Sequence, residues 1–155
     1  MIAEPQPPSV VVVEDSDEDF AAMERILRRS ALPVGLKRCT GADQALNLLE
    51  EMQQHPKLAS RTPALIVLDL NLPGRDGRYV LSEVRRREAM RRIPIVVFST
   101  SASAQDIRWC YENGANSYHV KDVNYSGFKS AVEQLSTYWL KSAWLPSRGE
   151  NSPAS

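Results

Sequence analysis

Cysteine is nearly absent: Cys39 and Cys110 are the only two in 155 residues, and neither belongs to a C-x-x-C pair or a cysteine/histidine cluster. That pattern argues against a structural zinc site and a disulfide scaffold, so two reduced, buried thiols are expected. A charge surplus is missing as well, since 19 Lys and Arg balance 19 Asp and Glu. No overall basic field exists to draw nucleic acid or anionic lipid, and no direct nucleic-acid partner is expected. No apolar run approaches the ~18 residues of a membrane span, and the opening MIAEPQPPS lacks the basic and apolar regions of a signal peptide. These absences point to a cytoplasmic chain with no membrane contact.

What is present is ordinary for a globular domain: 43% hydrophobic and 25% charged residues in a length of about one domain. Short aliphatic runs recur at Ser9–Asp15 (SVVVVED), Ala64–Asp69 (ALIVLD) and Ile93–Ser99 (IPIVVFS), with weaker ones at Val34–Thr40 and Ser117–Asp122. Uninterrupted β-branched runs of this length fit strands covered on both faces of a parallel sheet. Between them, apolar residues recur at helical spacing in Glu18–Arg29 and Ala42–Met52. Gly77–Glu88, Ser103–Asn113 and Tyr125 to about Ala143 complete five helices. Alternation of five strands with five helices predicts an α/β fold, a doubly wound parallel sheet with helices on both faces. Residues 1–8 read as a flexible N-terminus, 9–144 as the domain and 145–155 as a disordered tail; Gln54–Pro63 reads as a surface loop.

Ligands of such sheets gather beyond the carboxyl ends of the strands. Glu14 and Asp15 end the first strand, Asp69 the third, Ser99 the fourth and Lys121 the fifth. Three carboxylates brought to one edge repel one another unless something positive lies among them, and a hard divalent cation such as Mg²⁺ suits their oxygens. Beside that cation and Lys121, an Asp could attack a phosphoryl group whose charge they neutralise. An aspartyl phosphate would result.

The five residues, in this order and strand-end context, resemble the receiver domains of two-component response regulators over Ser9 to about Leu140. The resemblance implies a flavodoxin-like fold with strand order 2-1-3-4-5. It makes Asp69 the phosphoacceptor, fed by a partner histidine kinase. Glu14, Asp15 and Asp69 would hold Mg²⁺ with the backbone carbonyl of Asn71. Lys121 would pair with a phosphoryl oxygen, Ser99 would swing its hydroxyl toward it, and Tyr118 would report the phosphorylation state as an aromatic switch. Asn71 and Ser101 stand where the family tunes dephosphorylation. The DLNLPGRDG loop and the Ser99-Thr100-Ser101 run look most like stand-alone regulators paired with bacterial and cyanobacterial phytochromes. Output would then pass through protein contact, most simply a homodimer built on Ser103–Asn113, Ser117–Lys121 and Tyr125–Ala143, with Trp144 at its margin.

Two positions depart from the family pattern. Thr100 stands where a small Ala or Gly is usual and narrows access to the acyl phosphate, and Asp122 replaces the usual proline after the lysine. A cis bond before a non-proline residue costs ~3 kcal/mol, so trans is expected at Lys121–Asp122. Simpler readings exist for single residues. Asp69 alone would serve as a turn or cap residue, Tyr118 as a half-buried strand aromatic and His119 as a satisfied histidine. Arg85–Arg92 (RRREAMRR) reads as a solvated helix end, and Trp139 as a core anchor. Two rival functions use related chemistry. A haloacid-dehalogenase-like phosphatase also carries a strand-end Asp with Mg²⁺, but its D-x-D motif needs Asp where this chain has Asn71. A degenerate receiver would bind partners without phosphorylation, against which the complete acid and lysine set speaks.

Overall fold

The computed structural model describes residues 7–55 and 62–146. Strands β1 (Ser9–Val13), β2 (Gly35–Cys39), β3 (Leu65–Leu68), β4 (Ile95–Ser99) and β5 (Ser117–Val120) alternate with helices α1 (Asp17–Arg29), α2 (Ala42–Gln54), α3 (Gly77–Arg86), α4 (Ala104–Glu112) and α5 (Tyr125–Ser136). All strand pairings are parallel, in the order β2-β1-β3-β4-β5. The predicted doubly wound sheet and its strand order are therefore observed. Most of the predicted terminal segments and of the Gln54–Pro63 connection lies outside the described residues.

Alternation along the strands divides the core in two. Val10, Val12, Leu65, Val67, Val96 and Phe98 face one cluster, where Met23 and Ile26 of α1 meet Phe128 and Val132 of α5. Val11, Val13, Ile66, Leu68, Ile95 and Val97 face the other, with Leu46 and Leu49 of α2, Val80 and Leu81 of α3 and Cys110 of α4. β1, β3 and β4 are buried along their whole length, so both faces must be apolar and no polar alternation survives in their sequence. β2 and β5 are edge strands and mostly half-buried, which explains their weaker signal. Both cysteines are free and buried, as expected.

Two helices end earlier than their sequence pattern suggests. α3 stops at Arg86 rather than Glu88, because Met90 turns back into the core and the Met90 and Arg91 N–H groups both close onto the Arg87 carbonyl. α5 ends at Ser136 and passes into a π-helical segment, Thr137–Ser142, with Trp139 packed against the α1/α5 cluster. Trp139 thus anchors the core as expected. No described helix is long and apolar enough to cross a membrane.

Candidate functional site at the carboxyl edge of the sheet

Parallel register brings the strand ends level. Val13 lies opposite both Cys39 and Leu68, and Ser99 opposite Val120. Backbone bonds continue the ladder one step further: Glu14 N–H donates to Cys39 O (2.9 Å), Asp69 N–H to Val13 O (3.0 Å) and Lys121 N–H to Ser99 O (2.7 Å). Four side chains named from the sequence, Glu14, Asp69, Ser99 and Lys121, therefore leave four different strands at one edge, and all four are buried. Asp15, the next residue, is exposed.

Lys121 lies among the acids. Its ammonium donates to Glu14, to Asp19 Oδ2 at 2.9 Å and to Asp69 Oδ2 at 3.0 Å, above the Phe98 ring at 5.7 Å. The positive group expected among the carboxylates is supplied in part by the fold itself, which brings the Lys121 ammonium to within hydrogen-bonding distance of two of them. Burial works against the Lys121 charge, but its hydrogen bonds to Glu14 and Asp19 and the fields of Glu14 and Asp69 outweigh it and raise its pKa. For Glu14, burial is the largest influence and pushes the carboxyl up to about 7, against the lowering effect of Lys121. Both shifts are upward, which favours the charged form of Lys121 and the neutral form of Glu14. A lysine ringed by three carboxylates is the charged partner, and Glu14 is the group poised to titrate.

One oxygen each from Glu14, Asp15 and Asp69 lies within 4.8 Å of the others. Three carboxylate oxygens at that spacing, with one side open through exposed Asp15, suit a hard divalent cation that keeps some of its waters. Asn71 is held beside them, its N–H donating to Asp69 Oδ1 at 3.3 Å. The loop closes where Gly77 N–H donates to Leu70 O at 2.8 Å, and Asp76 caps α3 by accepting from Arg78 N–H at 2.8 Å. Thr100 is exposed at the rim.

The β4–α4 connection carries a second polar network. Ser101 N–H donates to Ser99 Oγ at 3.3 Å, and Ser101 Oγ donates to Asp106 Oδ2 at 2.6 Å. Arg78 reaches from α3 to Asp106 and, at 3.2 Å, to Asp76. The hydrogen bonds from Ser101 and then Arg78 hold the Asp106 carboxyl below its ordinary value. Tyr118 OH donates to the Ser101 carbonyl at 2.8 Å, so the residue named as the switch is tied to the loop that follows Ser99.

Other expectations are met or revised. No described peptide bond is cis, so Lys121–Asp122 is trans. Asp122 Oδ1 accepts from Asn124 N–H at 2.9 Å, which gives the acid a local turn role ahead of α5. His119 is half-buried, with Nε2 3.4 Å from Ser117 Oγ. Within RRREAMRR, Arg86 is exposed, but Arg85 is not a solvated helix end. Its guanidinium donates to the carbonyls of Gly114 (2.9 Å), Arg91 (3.0 Å) and Ile93 (2.8 Å) and to Asn116 Oδ1 (2.9 Å). It clamps the end of α3 to the turn before β5.

Asp19 is the site residue that sequence reasoning missed. It stands three residues after the N-cap Ser16, where a capping-box carboxylate reaches back to the N-cap N–H. Here Glu14 Oε2 already accepts from Ser16 N–H at 3.1 Å, while Ser16 Oγ accepts from Asp19 N–H at 3.2 Å. With its local partner taken, the Asp19 carboxylate turns to Lys121. The S-x-x-D spacing was the available signal, but it reads first as a helix start.

The comparisons agree with this geometry. The family model described as "Response regulator receiver domain" matches residues 10–133. Response regulator Rcp1 of Synechocystis sp. is 34% identical over 147 residues, covering 94% of this chain and 99% of its own. The crystal structure of the phosphorylated cyanobacterial phytochrome response regulator RcpA has a TM-score of 0.81 at 34% identity, covering 90% of this chain and 99% of that one. The Mn²⁺-bound form of Rcp1 gives a TM-score of 0.82 with the same identity and coverages. The acids and lysine at one sheet edge, the strand order and the match along most of the chain lead to one conclusion: this chain belongs to the response regulator receiver domain family.

Proposed function

We propose that residues 9–144 form a cytoplasmic signalling unit that accepts a phosphoryl group on Asp69 from a partner histidine kinase, with Mg²⁺ held by Glu14, Asp15, Asp69 and the Asn71 carbonyl. The observation that carries this reading is the 3.0 Å contact between Asp69 and Lys121 inside the acid cluster. An Asp69 oxygen attacks phosphorus, and the bond to the donor, P–N in a phosphohistidine or P–O in acetyl phosphate, breaks with its electrons on the leaving group. Bound Mg²⁺ would supply charge neutralisation at the phosphoryl oxygens. Lys121 binds one of those oxygens, and the Ser99 hydroxyl donates to another. Exposed Thr100 narrows the approach of water. Movement of Ser99 pulls on Ser101, whose carbonyl holds Tyr118, and so passes the state of Asp69 to β5.

Acetyl phosphate with Mg²⁺ is expected to add one phosphoryl mass to the protein, labile to hydroxylamine. Omitting Mg²⁺, or substituting Asp15→Ala, should suppress labelling more than about tenfold. Equal labelling of Asp69→Asn and the parent would refute the assignment. The absence of a second Asp at position 71 and the family membership favour this reading over a haloacid-dehalogenase-like phosphatase.

The kinase we propose is a phytochrome, on the similarity to the cyanobacterial phytochrome response regulator. Output would run through a homodimer built on α4, β5 and α5, where Tyr111, Val120 and Tyr125 are all more than 40% exposed, with exposed Trp144 at its margin. Aromatic area of this kind supplies interface anchors. Sedimentation at roughly tens of micromolar protein should show a dimer in the free or the beryllofluoride-treated state; a monomer in both eliminates it.

A further inference from the structure

We infer that Asp19 is a positioning residue for Lys121, retaining its ammonium at the pocket edge when Glu14 and Asp69 turn their oxygens to a divalent cation. The inference rests on the reading of Asp69 as phosphoacceptor and adds a residue to it.

Valence carries the argument. An ammonium has three N–H donors, and three carboxylates receive them: Glu14, Asp19 and Asp69. Glu14 and Asp69 also belong to the trio able to hold a cation, together with Asp15. Asp19 does not. A cation that draws on Glu14 and Asp69 weakens two of the three bonds to Lys121, and Asp19 is the one acceptor left wholly to it. Water is a poor substitute, because the Lys121 side chain is only 4% exposed and Phe98 lies beneath the ammonium.

Asp19 is built for that task. Its backbone is fixed in the first turn of α1 by the Ser16 cap, and its side chain is 33% exposed, so its charge keeps contact with solvent at little desolvation cost. A lysine stem has four rotatable carbons and needs such an anchor to hold one direction. With one N–H on Asp19, the other two lie toward Glu14 and Asp69, the edge at which a phosphoryl group on Asp69 would form. Asp19→Asn keeps the shape and removes the charge; Asp19→Glu keeps the charge on a longer arm.

The test follows the Lys121 ammonium by lysine-selective ¹⁵N NMR in full-length protein, before and after millimolar MgCl₂, alongside acetyl phosphate labelling. In the parent, the buried Lys121 signal is expected to survive Mg²⁺ addition. In Asp19→Asn it should broaden away on Mg²⁺ addition, with labelling slowed about tenfold, and Asp19→Glu should recover part of both. A melting curve checks that each variant folds. Survival of the signal in Asp19→Asn, or its loss from the parent as well, overturns the inference; so does a labelling rate unchanged by Asp19→Asn. Were neither parent nor variant labelled, the phosphoacceptor reading would fail, and the NMR comparison would still decide whether Asp19 holds Lys121.

Discussion

Lys121→Met is expected to cost about 3–5 kcal/mol of stability near pH 8 in chelator-treated protein, the range found when one member of a buried ion pair is removed. Methionine keeps the length and apolar stem over Phe98, so the loss reports charge rather than volume. Glu14 and Asp69 would be left buried at one edge with no ammonium between them. The loss should also depend on pH. In the parent, the Glu14 carboxyl is raised from 4.5 to about 7, so the folded state binds more protons than the unfolded state across that window. Its contribution to stability therefore falls as pH rises from about 4.5 to about 7. Removing Lys121 removes the hydrogen bond and field that lower this pKa, so the window extends upward and the variant's deficit grows from acid to alkaline solution. Urea unfolding from pH 4 to pH 8, about four units, measures it. A deficit below about 1 kcal/mol, as in exposed pairs, or one independent of pH, would contradict the burial and charge assigned to this cluster.

Gly77→Ala should cost about 3 kcal/mol and reduce phosphoryl acceptance more than about tenfold, because the added carbon has nowhere to go. A Cβ there would lie 2.1 Å from the Asp69 carbonyl oxygen and 2.8 Å from Leu70 Cα, both backbone atoms that cannot rotate aside. Either α3 moves away, breaking the Gly77 N–H bond to Leu70 O, or the backbone of Asp69 shifts and re-aims the carboxylate. Gly74 provides the contrast. It adopts φ +73° and has open space around its Cβ position, so Gly74→Ala meets only left-handed strain of about 1–2 kcal/mol. Unfolding free energies and labelling rates of the two variants separate steric from conformational cost. Equal effects at both positions would show that the approach of α3 to Asp69 does not hold the site.

Element types, their order and the ends of the buried strands can be read from the residues before any contact is known. Each of these is written locally: VVVV, LIVL and IVVF have no reason to be uninterrupted unless both faces are covered, and Glu14, Asp69 and Ser99 follow those runs directly. Once the strands are parallel, strand ends meet, so five of the site residues, Glu14, Asp15, Asp69, Ser99 and Lys121, were legible before any contact was known. Helix ends were less so, since Met90 and the π-helical turn at Thr137–Ser142 answer to packing rather than to the 3.6-residue pattern.

Which side chains pair is set by the packed fold. Asp19 and Lys121 are 102 residues apart, and Asp19 became available only because Glu14 took its capping partner. Arg85 looks like one more cation in a basic run, yet the turn before β5 presents it with acceptors 29 and 31 residues away. Tyr118 and Ser101 meet because β4 and β5 share a register that brings Val97 opposite Tyr118. All three pairings have one cause. A side chain's capacity to bond is a local property, but its choice among acceptors depends on which backbone the sheet register carries to within about 3 Å of it.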